Sequence, residues 1–312
     1  PGAGVGEGLM RKSLMAWAKL GAKFLFSFAI LFYMVHTGKL DLGAVSRGFA
    51  QVPLMALSMG LEVFALVAAL YRWNALLLGL GLEFKFSEVV RYGMIGAFFN
   101  TTMPGAVSGD LIKAWYIVSD YKGQKKTPVL ASILLDRAMG VFGLVLVSVS
   151  PLLLFWGRVW EIERLHQVIW LVVALFAGVV VFFTYIMLSM WGPFAKLRKR
   201  MGALESTKVG KVLLDAYDSW MSYRNNPMVL VKSLALAVLT HVSVVCVVIL
   251  CAKALGEDTL STYQYFLLVP IGLLTTAIPV APAGLGVGHA AFAALFELAG
   301  SKHGAEVFTM LV

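Results

Sequence analysis

Residues 168–191 form a run of apolar and aromatic side chains with no charge in it and only Thr184 and Ser189 as polar members. In lipid, every backbone N–H and C=O has to be satisfied within the protein, so only helices and closed barrels cross a bilayer. About 20 apolar residues make one spanning helix. Comparable runs occur at about 20–36, 52–71, 128–156 and 228–252. They are continuous rather than alternating, which argues against a porin-like barrel. Of the 312 residues 60% are hydrophobic and 14% charged, with a mean hydropathy of +0.83. A soluble domain has about 45–50% apolar and about 25% charged residues. The chain reads as an integral, multi-pass membrane protein of all-α class.

The net charge of +9 does not point to nucleic acid, because the basic residues lie between apolar spans. The two cysteines, Cys246 and Cys251, share one apolar run. Five residues apart they face different sides of a helix, which argues against a disulfide. Residues 1–19 read as a flexible lead and a cytoplasmic flank. The first apolar run follows Arg11 and Lys12 and ends without a small-residue cleavage site, so it reads as a retained span.

Two further apolar segments are broken. The first contains Asn100-Thr-Thr-Met-Pro-Gly-Ala-Val-Ser-Gly-Asp110, and the second contains Pro279-Val-Ala-Pro-Ala-Gly-Leu-Gly-Val-Gly288. Proline removes a backbone donor and clashes with the preceding turn, so no helix runs straight through either segment. At membrane depth such a break survives where it is buried in protein or lines a wet cavity. Both breaks read as re-entrant hairpins, at about 87–118 and about 262–300.

With the N-terminus inside, the cytoplasmic side collects Arg11, Lys12, Arg72, Lys85, Arg91, Lys113, Lys122, Lys125 and Lys126. It also collects Lys196, Arg198, Lys199, Arg200, Lys208, Lys211 and Arg224. Only Lys39, Arg47, Arg158, Arg164, Lys253 and Lys302 remain outside. Residues 20–156 then form one repeat and 157–312 a second, inverted one, as in many secondary transporters. The second repeat includes an amphipathic segment at about 196–226, lying on the cytoplasmic membrane surface. A further apolar run begins just before Val312, so the last span is expected to be incomplete. Arg72-Trp73 reads as an interfacial anchor closing the second span. The expected fold is a polytopic helical bundle with two re-entrant broken-helix hairpins in an inverted repeat, resident in the plasma (inner) membrane.

Candidate binding residues gather at the breaks. A half-helix starting near Ser108-Gly109-Asp110 points unpaired N–H groups at mid-membrane, and such an end attracts phosphate or carboxylate. Asp110 is a head ligand on one reading and a helix cap on the other. Asn100, Thr101 and Ser108 either satisfy freed backbone groups or bind a head, beside Pro104 and Gly105. Lys113 pairs with Asp110 or reaches an anion. Asp136 and Arg137 point about 100° apart on a helix, so one binds a substrate or the two lock the span to a hairpin, Arg137 to Asp110. In the second break the candidates are Pro282, Gly284, Gly286, Gly288 and His289. Glu62 and Glu297 are candidate coupling carboxylates. His241 reads as a packing residue. No spacing marks a metal, a cofactor or an enzyme nucleophile.

These motifs resemble the flippase-like transmembrane family found in lysylphosphatidylglycerol synthases and in stand-alone relatives. The resemblance rests on Arg72-Trp73, the Asn100–Asp110 motif, Asp136-Arg137 and Pro282-Ala-Gly-Leu-Gly-Val-Gly-His289. The family pattern runs like Asn-x-x-Leu-Pro-Gly-x-x-Gly-Gly-Asp and Pro-Gly-Gly-x-Gly-x-x-Glu. This chain departs from it at Met103, Ser108, Ala283 and His289, the last replacing an acid. The resemblance implies lipid substrates, since members are associated with aminoacyl phospholipids, hopanoid lipids and polyprenyl-linked glycans. With no soluble aminoacyl-transfer domain in the sequence, lipid synthesis is not expected. The leading expectation is a non-enzymatic lipid transporter that moves an amphiphile with an anionic or zwitterionic head between leaflets. Two alternatives stand beside it: a partner that presents lipid to a glycosyltransferase or synthase, and an ion-coupled transporter of a small solute.

Overall fold

The structure, a computed structural model, describes residues 21–103, 108–120, 126–191, 207, 214, 221–277 and 284–312. Among them every regular element is helical. The apolar runs become α1 (Gly21–His36), α3 (Val52–Gly79), α6 (Lys126–Leu154), α8 (His166–Trp191) and α9 (Met228–Ala254). A short α2 (Leu42–Phe49) precedes α3, and α7 (Trp156–Trp160) follows α6. Four of these helices are long and apolar enough to cross a membrane. Only 17% of the most apolar stretch of α3 is buried within the protein, so most of that surface suits lipid.

One boundary differs from the sequence reading in a way that matters. α3 does not stop at Arg72-Trp73 but continues for another two turns to Gly79. Arg72 is 7% and Trp73 2% exposed. They are interior residues of a span, not an interfacial anchor. The sequence signal was present, because Leu76, Leu77 and Leu78 carry the apolar run past Trp73. Of the segment 196–226, the structure describes only Thr207, Leu214 and residues 221–226, so its surface-helix reading lies outside the described residues. Tyr223 in its last turn is buried, and its hydroxyl donates to the Leu76 carbonyl at 2.7 Å.

The broken segments form two pairs of helices: α4 (Phe86–Thr102) with α5 (Ser108–Asp120), and α10 (Thr262–Thr276) with α11 (Val287–Leu298). They contain 17, 13, 15 and 12 residues. At 1.5 Å per residue each spans roughly 18–26 Å, short of the roughly 30 Å hydrocarbon layer. Both pairs are antiparallel. At the base of the first, the Tyr92 hydroxyl donates to Asp120 Oδ2 at 2.8 Å, and Arg91 reaches the same oxygen at 2.7 Å. At its tip the Gly109 N–H donates to Asn100 Oδ1 at 3.0 Å. In the second pair Tyr265 packs on Phe296 near the base, Phe292 covers Gly272, and Gly284 lies on Thr276 at the tip. α10 opens with a capping box in which the Ser261 N–H donates to Gln264 Oε1.

Among the described residues the most extensive helix–helix contact is between α3 and α9. Gly79 of α3 meets Val229 of α9, whereas Gly48, just before α3, meets Leu255, just after α9. The two helices are therefore antiparallel. Each hairpin follows the C-terminal end of one of them, so the hairpins are rooted at opposite ends of the pair. α5 and α10 both pack on α6, and α12 (Gly304–Leu311) packs on α11 and α2.

Close backbone approach holds the first hairpin together. A Cβ on Gly109 would fall 2.1 Å from the Gly96 carbonyl oxygen and 2.7 Å from the Asn100 backbone nitrogen. Gly109→Ala should therefore destabilise the protein by about 1–3 kcal/mol through overpacking. Thermal unfolding of the purified protein in detergent reads this as a lowered midpoint. Gly60→Ala, where a Cβ meets nothing within 4 Å, should leave the midpoint unchanged or raise it slightly.

Candidate functional site

Described residues of both hairpins line one cavity of about 600 Å³, walled by α3, α6 and α9. Asn100, Thr101, Asp110 and Lys113 enter from the first hairpin, and Thr276 and Ala277 from the second. Glu62, Arg72 and Trp73 come from α3, Asp136, Arg137 and Gly140 from α6, and Thr240 and His241 from α9. Leu70, Val141, Leu144, Val244 and Leu273 supply apolar wall. Ionisable residues lining a cavity within a bundle of apolar helices mark a candidate functional site.

The charges are arranged in sequence. Arg72 holds Asp136 in a two-pronged pair, Nε to Oδ1 at 2.7 Å and Nη2 to Oδ2 at 3.2 Å. Its guanidinium lies over Gly140, where a Cβ would sit 3.8 Å from Nη2. Arg137, one residue beyond Asp136, turns to the first hairpin and places Nε 2.5 Å from Asp110 Oδ2. Asp110 Oδ1 lies 3.7 Å from Lys113 Nζ, one turn further along α5. Lys113 Nζ in turn sits 3.9 Å above the Trp73 ring, a cation–π contact in a desolvated setting. The indole N–H donates to Ser132 Oγ at 3.3 Å. Gly96 makes room for the Lys113 stem, since a Cβ there would lie 3.3 Å from Lys113 Cδ.

Exposure distinguishes the members of this network. The side chains of Arg72, Asp110 and Lys113 are 9%, 8% and 8% exposed, whereas that of Arg137 is 45% exposed. Arg137 uses Nε on Asp110, and its outer nitrogens make no hydrogen bond among the described residues. Three cations against two carboxylates leave the network with a surplus positive charge, and Arg137 is its most exposed cation. His241 holds its Nε2 3.0 Å from the Gly140 carbonyl, so that nitrogen carries the proton when the ring is neutral. Its Nδ1 has no partner among the described residues.

The candidates named from sequence divide into those in the cavity and those outside it. Asn100, Thr101, Asp110, Lys113, Asp136, Arg137 and Glu62 line the cavity. Ser108 and Gly109 stand behind it at the start of α5. Pro104, Gly105 and Pro282 lie outside the described residues. Gly284 packs on Thr276, with a φ of +71° that favours glycine. Gly286 approaches Ser27 of α1 and Gly288 approaches Phe308 of α12, so both serve packing. His289 is 2% exposed, stacked edge-on against Phe308, with Nδ1 facing the Gly286 N–H at 3.3 Å. It does not line the cavity, and neither does Glu297, which is exposed near the end of α11. The sequence reading missed Arg72, Trp73 and His241 as cavity residues.

The fold and the cavity together define a polytopic α-helical membrane protein whose polar site lies between the tips of two broken-helix hairpins. The chain belongs to the family described as the lysylphosphatidylglycerol synthase TM region, whose model matches residues 21–312. No curated protein and no solved structure matches it.

The Arg72–Asp136 pair can be tested directly. Asp136→Asn strands a buried guanidinium and should cost about 3–5 kcal/mol. Arg72→Met combined with Asp136→Leu removes both charges and should recover most of that loss. A double-mutant cycle on unfolding in detergent measures the coupling.

Proposed function

We propose that this protein is a lipid transporter that moves an amphiphile with an anionic or zwitterionic head between leaflets. The observation that carries the reading is the half-exposed Arg137 side chain, which lines a cavity that residues of both hairpins share. A guanidinium offers paired donors that match phosphate. Asn100, Thr101 and Thr276 line the same cavity and add polar side chains to it. The apolar wall of the same cavity suits the first carbons of a lipid, while the tail remains in the bilayer. Membership of a family described by a lipid synthase's membrane region supports a lipid over a soluble solute.

In this reading the two hairpins are re-entrant and belong to inverted halves, an arrangement supported by their rooting at opposite ends of the antiparallel α3–α9 pair. Alternating access then comes from one half rocking against the other around the cavity. The protein itself makes and breaks no covalent bond. It resides in the plasma (inner) membrane with its N-terminus cytoplasmic, as the distribution of Lys and Arg favours. Its substrate lipid is the partner this requires, and an enzyme that makes or consumes that lipid is the natural neighbour.

Reconstitution into vesicles tests the proposal. Labelled phospholipids with anionic and zwitterionic heads should become accessible to an external quencher faster than in protein-free vesicles. Arg137→Gln removes a charge-assisted contact of about 1.5–3 kcal/mol and should slow transfer at least about tenfold. Vesicles in which the wild-type protein moves none of these lipids would refute the reading.

A further inference from the structure

Glu62 stands apart from every other charge in the cavity. It is exposed, it sits within a membrane-spanning helix, and among the described residues it has no hydrogen bond and no cation. Asp110 and Asp136, the other cavity carboxylates, are both held by arginine. A lone carboxylate at such a depth is costly as an ion and inexpensive as an acid. The groups that share its cavity are Arg72 on its own helix, Asp136 and Arg137 on α6, Asp110 and Lys113 on α5, and His241 on α9. Cys251 on α9 also lies within electrostatic reach.

Counting these charges gives a coupling rule. Arg72, Lys113 and Arg137 supply three positive charges, and Asp110, Asp136 and ionised Glu62 supply three negative ones. With neutral His241, the empty cavity is electrically balanced. A head with one net negative charge upsets that balance, and one proton on Glu62 restores it. The states that keep the site neutral while it is closed to both sides are therefore two: empty with Glu62 ionised, and loaded with Glu62 protonated.

We infer that Glu62 makes this protein a proton–lipid symporter, carrying one proton in the same direction as each lipid of net charge minus one. The proton passes from hydronium in the cavity, open to one side, to the Glu62 carboxylate, giving water and a carboxylic acid. On the other side the acid returns it to water as the head leaves. No other bond changes. This step rests on the lipid-transport reading above and adds its energy source and the net charge of its substrate.

The test uses the full chain in vesicles carrying labelled phosphatidylglycerol and an internal pH dye. A gradient of about one pH unit should enrich the label in the leaflet on the alkaline side by up to about tenfold, with proton uptake rising alongside transfer. Labelled phosphatidylcholine, with no net charge, should show no enrichment. Glu62→Gln fixes the site in its neutral form. It should trade labelled for unlabelled phosphatidylglycerol without enrichment or proton uptake, and Glu62→Asp should restore both. Wild-type protein that equilibrates phosphatidylglycerol with no response to the gradient and no proton movement overturns the symport while leaving lipid transport standing. Wild-type protein that moves no lipid overturns both. Glu62→Gln that still enriches the label and takes up protons overturns the assignment to Glu62. If that variant does not fold, the dye measurement on wild type still decides the symport, and loss of coupling in Glu62→Asp overturns the assignment.

Discussion

A charge placed among apolar helices has to find its opposite nearby, and that requirement organises the centre of this protein. Arg72 and Asp136 join α3 to α6, and Arg137 and Asp110 join α6 to α5. Three elements that also share an apolar cluster, with Trp73 and Leu77 of α3, Ala114 and Ile117 of α5 and Val129 and Ile133 of α6, are thus tied by two adjacent residues on α6. The adjacency is what makes this work. Asp136 and Arg137 point in different directions around one helix, so each serves a different neighbour. An Asp-Arg pair that satisfied itself would have connected nothing.

The same constraint explains where the hairpins stop. None of the four hairpin helices is long enough to cross the hydrocarbon layer alone, and Asn100, Thr101, Asp110 and Thr276, near their described ends, line one cavity. Glycine sets the spacing at both tips, by different means. Gly109 removes a side chain so that two helices touch backbone to backbone, whereas Gly284 turns the chain through a left-handed conformation against Thr276. Their neighbours Gly286, Gly288 and His289 serve packing against α1 and α12, although in the sequence they looked much like the cavity residues of the first break.

The spans, the two breaks and the Asp110–Arg137 link were legible in the sequence, because apolar length, proline and an ionisable pair at membrane depth each carry a direct physical penalty. Arg72 and Trp73 were misread because a basic-aromatic dipeptide has two stable settings. One is a membrane interface. The other is an interior site with a countercharge and a hydrogen-bond partner, here Asp136 and Ser132. Composition at the dipeptide itself does not separate them; the leucines that follow do. His289 was misjudged for the complementary reason. A histidine opening a half-helix is suited to an anion, yet its contacts are with Phe308 and Gly286, and Phe308 lies in a different element that no local pattern reveals.

The first hairpin is fastened at both ends, by Arg91, Tyr92 and Asp120 at the base and by Asn100 with Gly109 at the tip. Its two helices touch with no side chain between them at Gly96 and Gly109. Such a unit resists bending and shearing within itself. Its seam with α6 at the cavity is instead ionic, and ionic contacts, unlike interlocked side chains, can be exchanged for others of the same sign without leaving a void. The hairpin is therefore a stiff piece held to α6 in two ways: an anion that replaced the Asp110 carboxylate on Arg137 would remove the ionic link and leave the apolar one, through Ala114, Ile117, Val129 and Ile133, in place.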